Sequence, residues 1–383
     1  MTSNSNEESN VDKPKPSNAL LSQLADGKQL RKTTTRVRTR DGKIFEEERK
    51  DDGSTVIKSQ NREPIPAYLD ESTSATKTLP IYTFDVKKGR WIGKSEESTT
   101  STKTKVKSSD DKKEKPVETT TDNNIKELVI ISFNVWFANE KWQERQQKLL
   151  QILKGKNPDI ICLQEVTPRF MEGFCKGISK KNKKICKKKK KKPPFLMHVD
   201  NFICEGYDIS DNMVGNTVNP YGVLIATRKK TVPMTRLEIS SLPSNMARRL
   251  VSAKVGPYDW WINTVHLESL NNTPYRVAQL KLIFNDYMGK QGENCMLMGD
   301  FNFGERDEEN AHLSKNFLDC WTEFAQQKKL SPKMGATCVG ERYDRIVVKW
   351  DKKSPWKITH FEKLGGHNMP SDHLGICAIL TKD

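Results

Sequence analysis

Between residues 125 and 382 one device recurs: a short apolar run, the length of a single buried strand, stops at a polar residue that is costly to bury without a partner. ELVIISFNVW (127–136) delivers Asn134, PDIICLQEV (158–166) delivers Gln164 and Glu165, WWINTVHLES (260–269) delivers His266, Glu268 and Ser269, and NCMLMGDFN (294–302) delivers Asp300 and Asn302. In PSDHLGICAIL (370–380) the polar residues Ser371, Asp372 and His373 precede the apolar run, and RYDRIVVK carries Asp344 between apolar neighbours. Two amphipathic stretches separate such runs. Trp142, Leu149, Leu150 and Leu153 lie at helical spacing before Gly155, and Val277, Leu280, Phe284 and Tyr287 do so after Pro274. Short strands alternating with core-facing helices predict an α/β (α+β) domain over residues 125–383.

The first 124 residues have a different texture. Leu, Ile, Val and Phe make up only about 15% of them, below the level at which a chain buries enough apolar surface to offset its ordering entropy, so region 1–124 is expected to be mostly disordered. Two segments interrupt it. NALLSQLADGKQLRKT (18–33) places Leu20, Leu21 and Leu24 on one helical face ahead of a basic segment, and so resembles the actin-monomer-binding WASP-homology motif. IYTFDVKKGRWIGKS (81–95) carries enough aromatic residues to dock, either as a hairpin or as a linear motif. Inside the region from 125 onward, KKNKKICKKKKKKPP (180–194) holds ten lysines, too many like charges to pack, and is expected to be a solvated insertion suited to nuclear import or phosphate contact.

Charge and cysteine usage narrow the partners. The chain has 65 Lys and Arg against 49 Asp and Glu, a net charge of +16, which favours a polyanionic partner. Eight cysteines without a Cys-x-x-Cys pair suit reduced thiols in the nucleus or cytoplasm rather than a zinc module, and Cys162, Cys295 and Cys377 sit within apolar runs as expected buried thiols. No apolar run is long enough for a membrane-spanning helix, and MTSNSNEESN offers no apolar signal core. Carboxylates, amides and imidazoles without thiolate ligands make a hard oxygen-donor set, which suits Mg²⁺ or Mn²⁺, with histidines as donors to a phosphate. A small acidic site in a basic protein implies a phosphate-ester substrate.

The order Asn-Val-Trp-Phe (134–137), Leu-Gln-Glu-Val (163–166), His-Leu-Glu-Ser (266–269), Gly-Asp-x-Asn (299–302), Tyr-Asp-Arg-Ile (343–346) and Pro-Ser-Asp-His-x-Gly (370–375) resembles the endonuclease/exonuclease/phosphatase superfamily. The resemblance implies a DNase I-like sandwich of two packed mixed β-sheets flanked by helices. Within the superfamily, PDIICLQEVTP (158–168), MARRL (246–250), HLES and PSDHLGI (370–376) are similar to the tyrosyl-DNA phosphodiesterase 2 branch. That likeness implies Mg²⁺-dependent hydrolysis of the 5′-phosphotyrosyl bond between a DNA end and a trapped topoisomerase. A phenol, with a pKa of about 10, leaves far more readily than a sugar alkoxide, so such chemistry needs little general-acid help.

Carried onto this sequence, the resemblance makes Glu165 the principal metal ligand, with Asn134 beside it on the metal or orienting Glu165 or the phosphate. Asp300 would orient or deprotonate the attacking water and Asn302 would position the phosphate. His266 and His373 would donate to the non-bridging oxygens, with Asp372 holding His373 or supporting the metal. Ser269 and Asp344 would support them, Asp344 by fixing a histidine tautomer. Tyr221, Arg248, Arg249 and the lysine loop would line a single-strand path, and Arg306 would stand for an arginine that the family places closer to its Gly-Asp-x-Asn. Two further departures are Trp136, where the family usually has an acid, and Cys338, where relatives carry a Trp after Thr337. The alternatives are another phosphodiesterase of the superfamily, such as an RNA 3′ exonuclease or deadenylase or an abasic endonuclease, and an actin-binding protein with an accessory catalytic domain. A monomer in the nucleus, also in the cytoplasm, acting on adducted DNA 5′ ends and binding monomeric actin through 18–33, completes the expectation.

Overall fold

The computed structural model describes residues 34–38, 44–49, 55–59, 75–94, 125–175, 202–212, 217–350, 354–366 and 369–382. The actin-motif segment 18–33 and the lysine-rich insertion 180–194 lie outside these residues, as does much of the region expected to be disordered. Strands β1 (Thr34–Arg38), β2 (Ile44–Arg49) and β3 (Thr55–Ser59) pair antiparallel, in that order, within a unit of their own, Met1–Pro64.

The second unit, Ile65–Asp383, has fifteen strands among its described residues and holds the polar strand-end residues singled out above. In chain order they are β4 (Thr76–Thr78), β5 (Ile81–Asp85), β6 (Arg90–Lys94), β7 (Glu127–Asn134), β8 (Ile160–Val166), β9 (Tyr207–Ile209), β10 (Gly222–Arg228), β11 (Met234–Ser241), β12 (Arg249–Val255), β13 (Trp260–His266), β14 (Cys295–Asp300), β15 (Leu318–Asp319), β16 (Asp344–Lys349), β17 (Trp356–Leu364) and β18 (Gly375–Lys382). The helices used below are α1 (Trp142–Lys156), α2 (Pro168–Phe174), α3 (Phe202–Gly206), α4 (Thr273–Lys281) and α5 (Cys320–Lys328). One sheet runs β17-β18-β7-β8-β10-β9-β5-β6 and the other β15-β16-β14-β13-β12-β11-β4.

Each sheet has one parallel pair at its heart, β7 with β8 and β13 with β14, while its remaining pairs are antiparallel. A parallel pair needs a crossover, and here the amphipathic segments supply it: α1 joins β7 to β8, and α4 with the π-helical turn after it joins β13 to β14. Apolar side chains facing inward from both sheets, among them Ile130, Ile160, Ile225, Val251, Ile262, Met298 and Ile346, form the layer between them. The outer face of the first sheet is covered by α1 and α2 through Leu149, Leu153, Phe170 and Phe174, that of the second by Leu280, Ile283 and Phe284. The two-sheet sandwich with flanking helices is the fold the sequence implied.

The start of the domain lies earlier than Ile125. Residues 76–94 close both sheets: β4 adds to the edge of the second beside β11, and the hairpin β5–β6 adds to the first beside β9. Tyr82 and Phe84 are buried, Tyr82 in the cluster on the outer face of the first sheet, while Leu79 and Ile81 pack against the layer between the sheets. Averaged over 124 polar residues these few apolar positions disappear, which is why composition alone set the boundary too late. Gly155 also does not stop α1; the helix continues to Lys156 and ends at Asn157 in the left-handed conformation, whose N–H caps the carbonyl of Leu153.

Candidate active site

The carboxyl ends of the two parallel pairs meet. Asn134 ends β7, Glu165 is one residue short of the end of β8, His266 ends β13 and Asp300 ends β14. Crevices at the carboxyl ends of parallel strands are where open α/β sheets bind ligands, and this sandwich presents two such ends side by side. Asn134 Nδ2 of one sheet donates to Asp300 Oδ2 of the other at 2.9 Å, and behind them Gln164 Nε2 donates to Thr264 Oγ1 at 3.2 Å. β16 runs antiparallel to β14 and pairs Asp344 with Asp300, while β18 runs antiparallel to β7. The first residues of those two strands therefore stand beside the last residues of the others. That is why Asp344 and His373 come at the beginnings of their apolar runs.

Glu165 owes its direction to a bulge. Between Leu163, opposite Leu224, and Val166, opposite Gly222, β8 takes three steps against two on β10, and Glu165 adopts φ 59°. The extra residue turns Glu165 out of the alternation that buries Gln164. Oε2 accepts the Phe137 N–H at 2.9 Å and Oε1 accepts Asn134 Nδ2 at 3.3 Å. Burial, reinforced by the nearby charges of Asp372 and Asp300 and only partly countered by the Phe137 N–H, pushes the Glu165 carboxyl up to about 7. Glu165, half-buried beside two further carboxylates, offers hard oxygen donors. The set fits a divalent ion of the Mg²⁺ class on Glu165, with Asp372 and Asp300 near it. Asp300, Asp344 and His373 also approach within 4.8 Å of one another. That trio is internally paired through His373 Nδ1 and Asp344, which favours Glu165 as the ion's main ligand. Asn134 Oδ1 accepts the Trp136 N–H at 3.0 Å and its NH₂ faces the two acids, so in this arrangement the amide orients Glu165 and Asp300.

On the other flank two imidazoles face one carboxylate oxygen. His266 Nε2 and His373 Nε2 lie 3.5 and 3.7 Å from Asp300 Oδ2. His373 Nδ1 is 2.8 Å from Asp344 Oδ2, and His266 Nδ1 is 2.9 Å from Arg248 Nη1. A guanidinium only donates, so Nδ1 of His266 accepts and the ring proton sits on Nε2. Burial and then Arg248 push His266 well below the usual imidazole range. Burial also opposes the charged form of His373, but Asp344 and Asp300 outweigh it and raise that imidazole. Burial likewise pushes against ionisation of Asp300, and the two imidazoles carry its net shift down. Asp372 does not hold His373. It is exposed, accepts a bond from Ser371 Oγ at 3.2 Å and acts electrostatically on Glu165 and Arg145, whereas Asp344 is the histidine's partner.

The residues expected around the centre divide. Tyr221 and Ser269 lie against Arg248, the first with its ring 5.4 Å from the guanidinium carbon, the second with Oγ accepting from Nη2 at 3.4 Å. Arg249 Nη2 donates to the Asn219 carbonyl at 3.0 Å. The Asn302 N–H donates to Asp300 Oδ1 at 2.9 Å, and its Nδ2 donates to the Leu267 carbonyl at 3.1 Å, so the amide nitrogen ties two strand ends together. Arg306 is exposed on the turn after the Gly-Asp-x-Asn stretch and forms none of the cluster's hydrogen bonds described above. Glu268 is structural: it accepts from Ser244 Oγ, the Asn245 N–H and Gln279 Nε2. Sequence reasoning passed over Arg145, which donates to the carbonyls of Val135, Trp136, Ala138 and Pro370 and lies 4.5 Å over the Trp136 ring. An arginine in the first turn of a helix opposes the helix dipole, and that was the available signal. A cavity of about 220 Å³ opens between this loop and Glu165, lined by Trp136, Phe137, Trp142, Arg145 and Phe170.

Residues 131–373 match the endonuclease/exonuclease/phosphatase family, and the chain belongs to that family of phosphoric-ester hydrolases. Among solved structures, D. rerio TDP2 complexed with a single-strand DNA product is similar at 24% identity and a TM-score of 0.50, over 67% of this chain and 99% of that one. Truncated Caenorhabditis elegans TDP2 is similar at 20% identity and 0.49, over 67% and 97%, and the human Nocturnin catalytic domain with a bound sulfate anion at 18% and 0.48, over 67% and 95%. No curated protein sequence matches the chain significantly. Among the described residues no helix is long and apolar enough to cross a membrane.

Proposed function

We propose that the protein is a Mg²⁺-dependent phosphodiesterase that hydrolyses the 5′-phosphotyrosyl bond between a DNA end and a trapped topoisomerase. The observation that carries this reading is the convergence of Asn134, Glu165, Asp300, His266 and His373 on one point, through bonds that cross between the sheets. Bound at Glu165, with Asp372 and Asp300 near it, Mg²⁺ or Mn²⁺ would supply charge neutralisation at the phosphate. Asp300, anionic between two imidazoles, orients the attacking water and takes its proton. His373, cationic, directs N–H toward a non-bridging oxygen as negative charge builds there, and neutral His266 offers its Nε2–H beside it. Asn134 holds the two acids in register. Nothing in this arrangement reserves a strong acid for the departing oxygen, which a phenol does not need and a sugar alkoxide does.

DNA as substrate is supported by the net positive charge, by the motif likeness and by the similar TDP2 solved with single-strand DNA. A nuclear and cytoplasmic monomer acting in DNA repair, with actin bound through 18–33, belongs to the same proposal. The decisive assay offers the purified chain a 5′-phosphotyrosyl oligonucleotide, a 3′-phosphotyrosyl one, an abasic duplex and RNA, with Mg²⁺ or EDTA. Mg²⁺-dependent release of tyrosine from the 5′ end alone is the expected result. Cleavage confined to RNA or to the abasic duplex would assign the site to another branch of the family.

A further inference from the structure

The seven large apolar side chains left exposed among the described residues include four that lie within three residues of a site residue in sequence. Phe137 stands three residues after Asn134, Leu270 follows Ser269, Val339 follows Thr337 by two, and Met369 precedes Ser371 by two. Exposed apolar groups around a charged centre mark a surface that something covers. Phe137, the aromatic residue of the four, packs against another ring of the site: it lies 5.4 Å from Tyr221, with the planes inclined by 33°. Tyr221 in turn has the Arg248 guanidinium 5.4 Å from its centroid, and Arg248 bonds to His266. Three flat groups thus lead from the imidazole flank to Glu165.

Phe137 is 37% exposed, yet its backbone is held. Its N–H is held by Glu165 Oε2, Trp136 before it adopts φ 56° beneath Arg145, and Arg145 bonds the carbonyls on both sides. A ring held this way loses little entropy when a second flat group settles on it. The surface lies beside the phosphate site, and bases in a single strand expose faces that stack on such rings.

We propose that Phe137 is a specificity-determining residue: with Tyr221 it forms a platform for the unpaired base of the nucleotide that bears the scissile phosphate, which restricts the enzyme to single-stranded or frayed 5′ ends. This rests on the reading of the site given above. The experiment measures binding rather than turnover, so that the two fail separately. Fluorescence polarisation on the full chain with Mg²⁺ compares a 5′-phosphorylated hexathymidylate with the same oligonucleotide lacking its first base. The parent should prefer the base-bearing strand by roughly 5- to 100-fold. Phe137→Leu should collapse that preference toward unity, and Phe137→Trp should keep it. Equal weakening on both strands would make Phe137 a support for Glu165 and overturn the proposal, as would a preference that survives Phe137→Leu. If a loss appears only with a strand still carrying its tyrosine, the ring serves the leaving group and the proposal also falls. A base preference that depends on Phe137 in a chain that releases no tyrosine would retain the platform and discard the 5′-tyrosyl reading.

Discussion

His266 and His373 face the same oxygen of Asp300 at nearly the same distance, yet their protons are set in opposite directions. Both are buried, and burial disfavours the charged form of each. The difference lies behind the rings. His373 has a carboxylate on Nδ1, His266 a guanidinium. One flank of the site therefore carries a fixed imidazolium and the other a neutral ring with a known tautomer, and this separation assigns their roles more firmly than their shared distance to Asp300 does. It also explains why the Glu165 side, which has acids and no such compensation, is where a cation is wanted.

The comparison breaks most visibly when charge is removed at either pole. His373→Ala and Glu165→Ala should each lower kcat by roughly 10³- to 10⁴-fold on a 5′-phosphotyrosyl oligonucleotide, because each removes stabilisation present chiefly in the transition state. His266→Ala, which deletes a neutral donor, should cost about tenfold less than His373→Ala; equal losses would show that the two imidazoles are not distinguished. Asp344→Asn should reduce kcat by about 10²-fold while leaving the ring in place. Without the carboxylate the His373 imidazolium deprotonates at lower pH, so the alkaline limb of the rate profile should move downward in pH. An unmoved limb would show that Asp300 alone holds that proton.

The acidic pole makes a prediction about stability. The Glu165 carboxyl sits at about 7 in the folded chain against 4.5 as its reference value. A raised acid binds its proton more tightly when folded, so metal-free protein gains stability as pH falls from about 7 towards 4.5 and gains nothing further from this group below that. The span is on the order of 3 kcal/mol. Denaturant unfolding of the parent and of Glu165→Gln at pH 5 and 8 isolates it: the parent should lose more stability than the variant at pH 8, and saturating Mg²⁺ should abolish the difference. If the two respond alike to pH, Glu165 is already compensated by protein groups and is not the ion's ligand.

What the sequence made legible follows from where chemistry meets periodicity. Asn134, Glu165, His266 and Asp300 were found because an apolar run ends on them, and strand ends are where a buried chain first meets solvent. His373 was found in the same way, but its partner was not. Asp372 is its neighbour in sequence, yet it points to solvent where His373 points inward, whereas Asp344 reaches the ring only through the β14–β16 pairing. The bulge that aims Glu165 leaves no trace in composition, and Phe137 and Arg145 act largely through backbone groups that no motif encodes. The edge strand β4 was hidden because a short edge strand needs few apolar residues, whereas the β5–β6 hairpin was one of the two readings of 81–95 and only its place in the sheet was not legible.

The smallest effect tests the least obvious side of the comparison, the neutral ring. His266 is pushed down first by burial and second by Arg248, while Asp300 pulls the other way. Arg248→Met keeps the ring covered and removes the repelling charge, leaving Asp300 less opposed, so the His266 pKa should rise. If turnover needs this ring neutral, the acid limb of kcat then moves up by the same amount, and activity at pH 6 relative to pH 8 falls several-fold. Arg248→Lys retains the positive charge but not the planar donor, so it should raise KM without moving the limb. The His266 ¹³Cε1 shift followed through the titration reads the proton directly and separates it from any change in substrate contact. Should the imidazole titrate unchanged in Arg248→Met, burial alone keeps it neutral, and the two flanks differ only by the carboxylate behind His373.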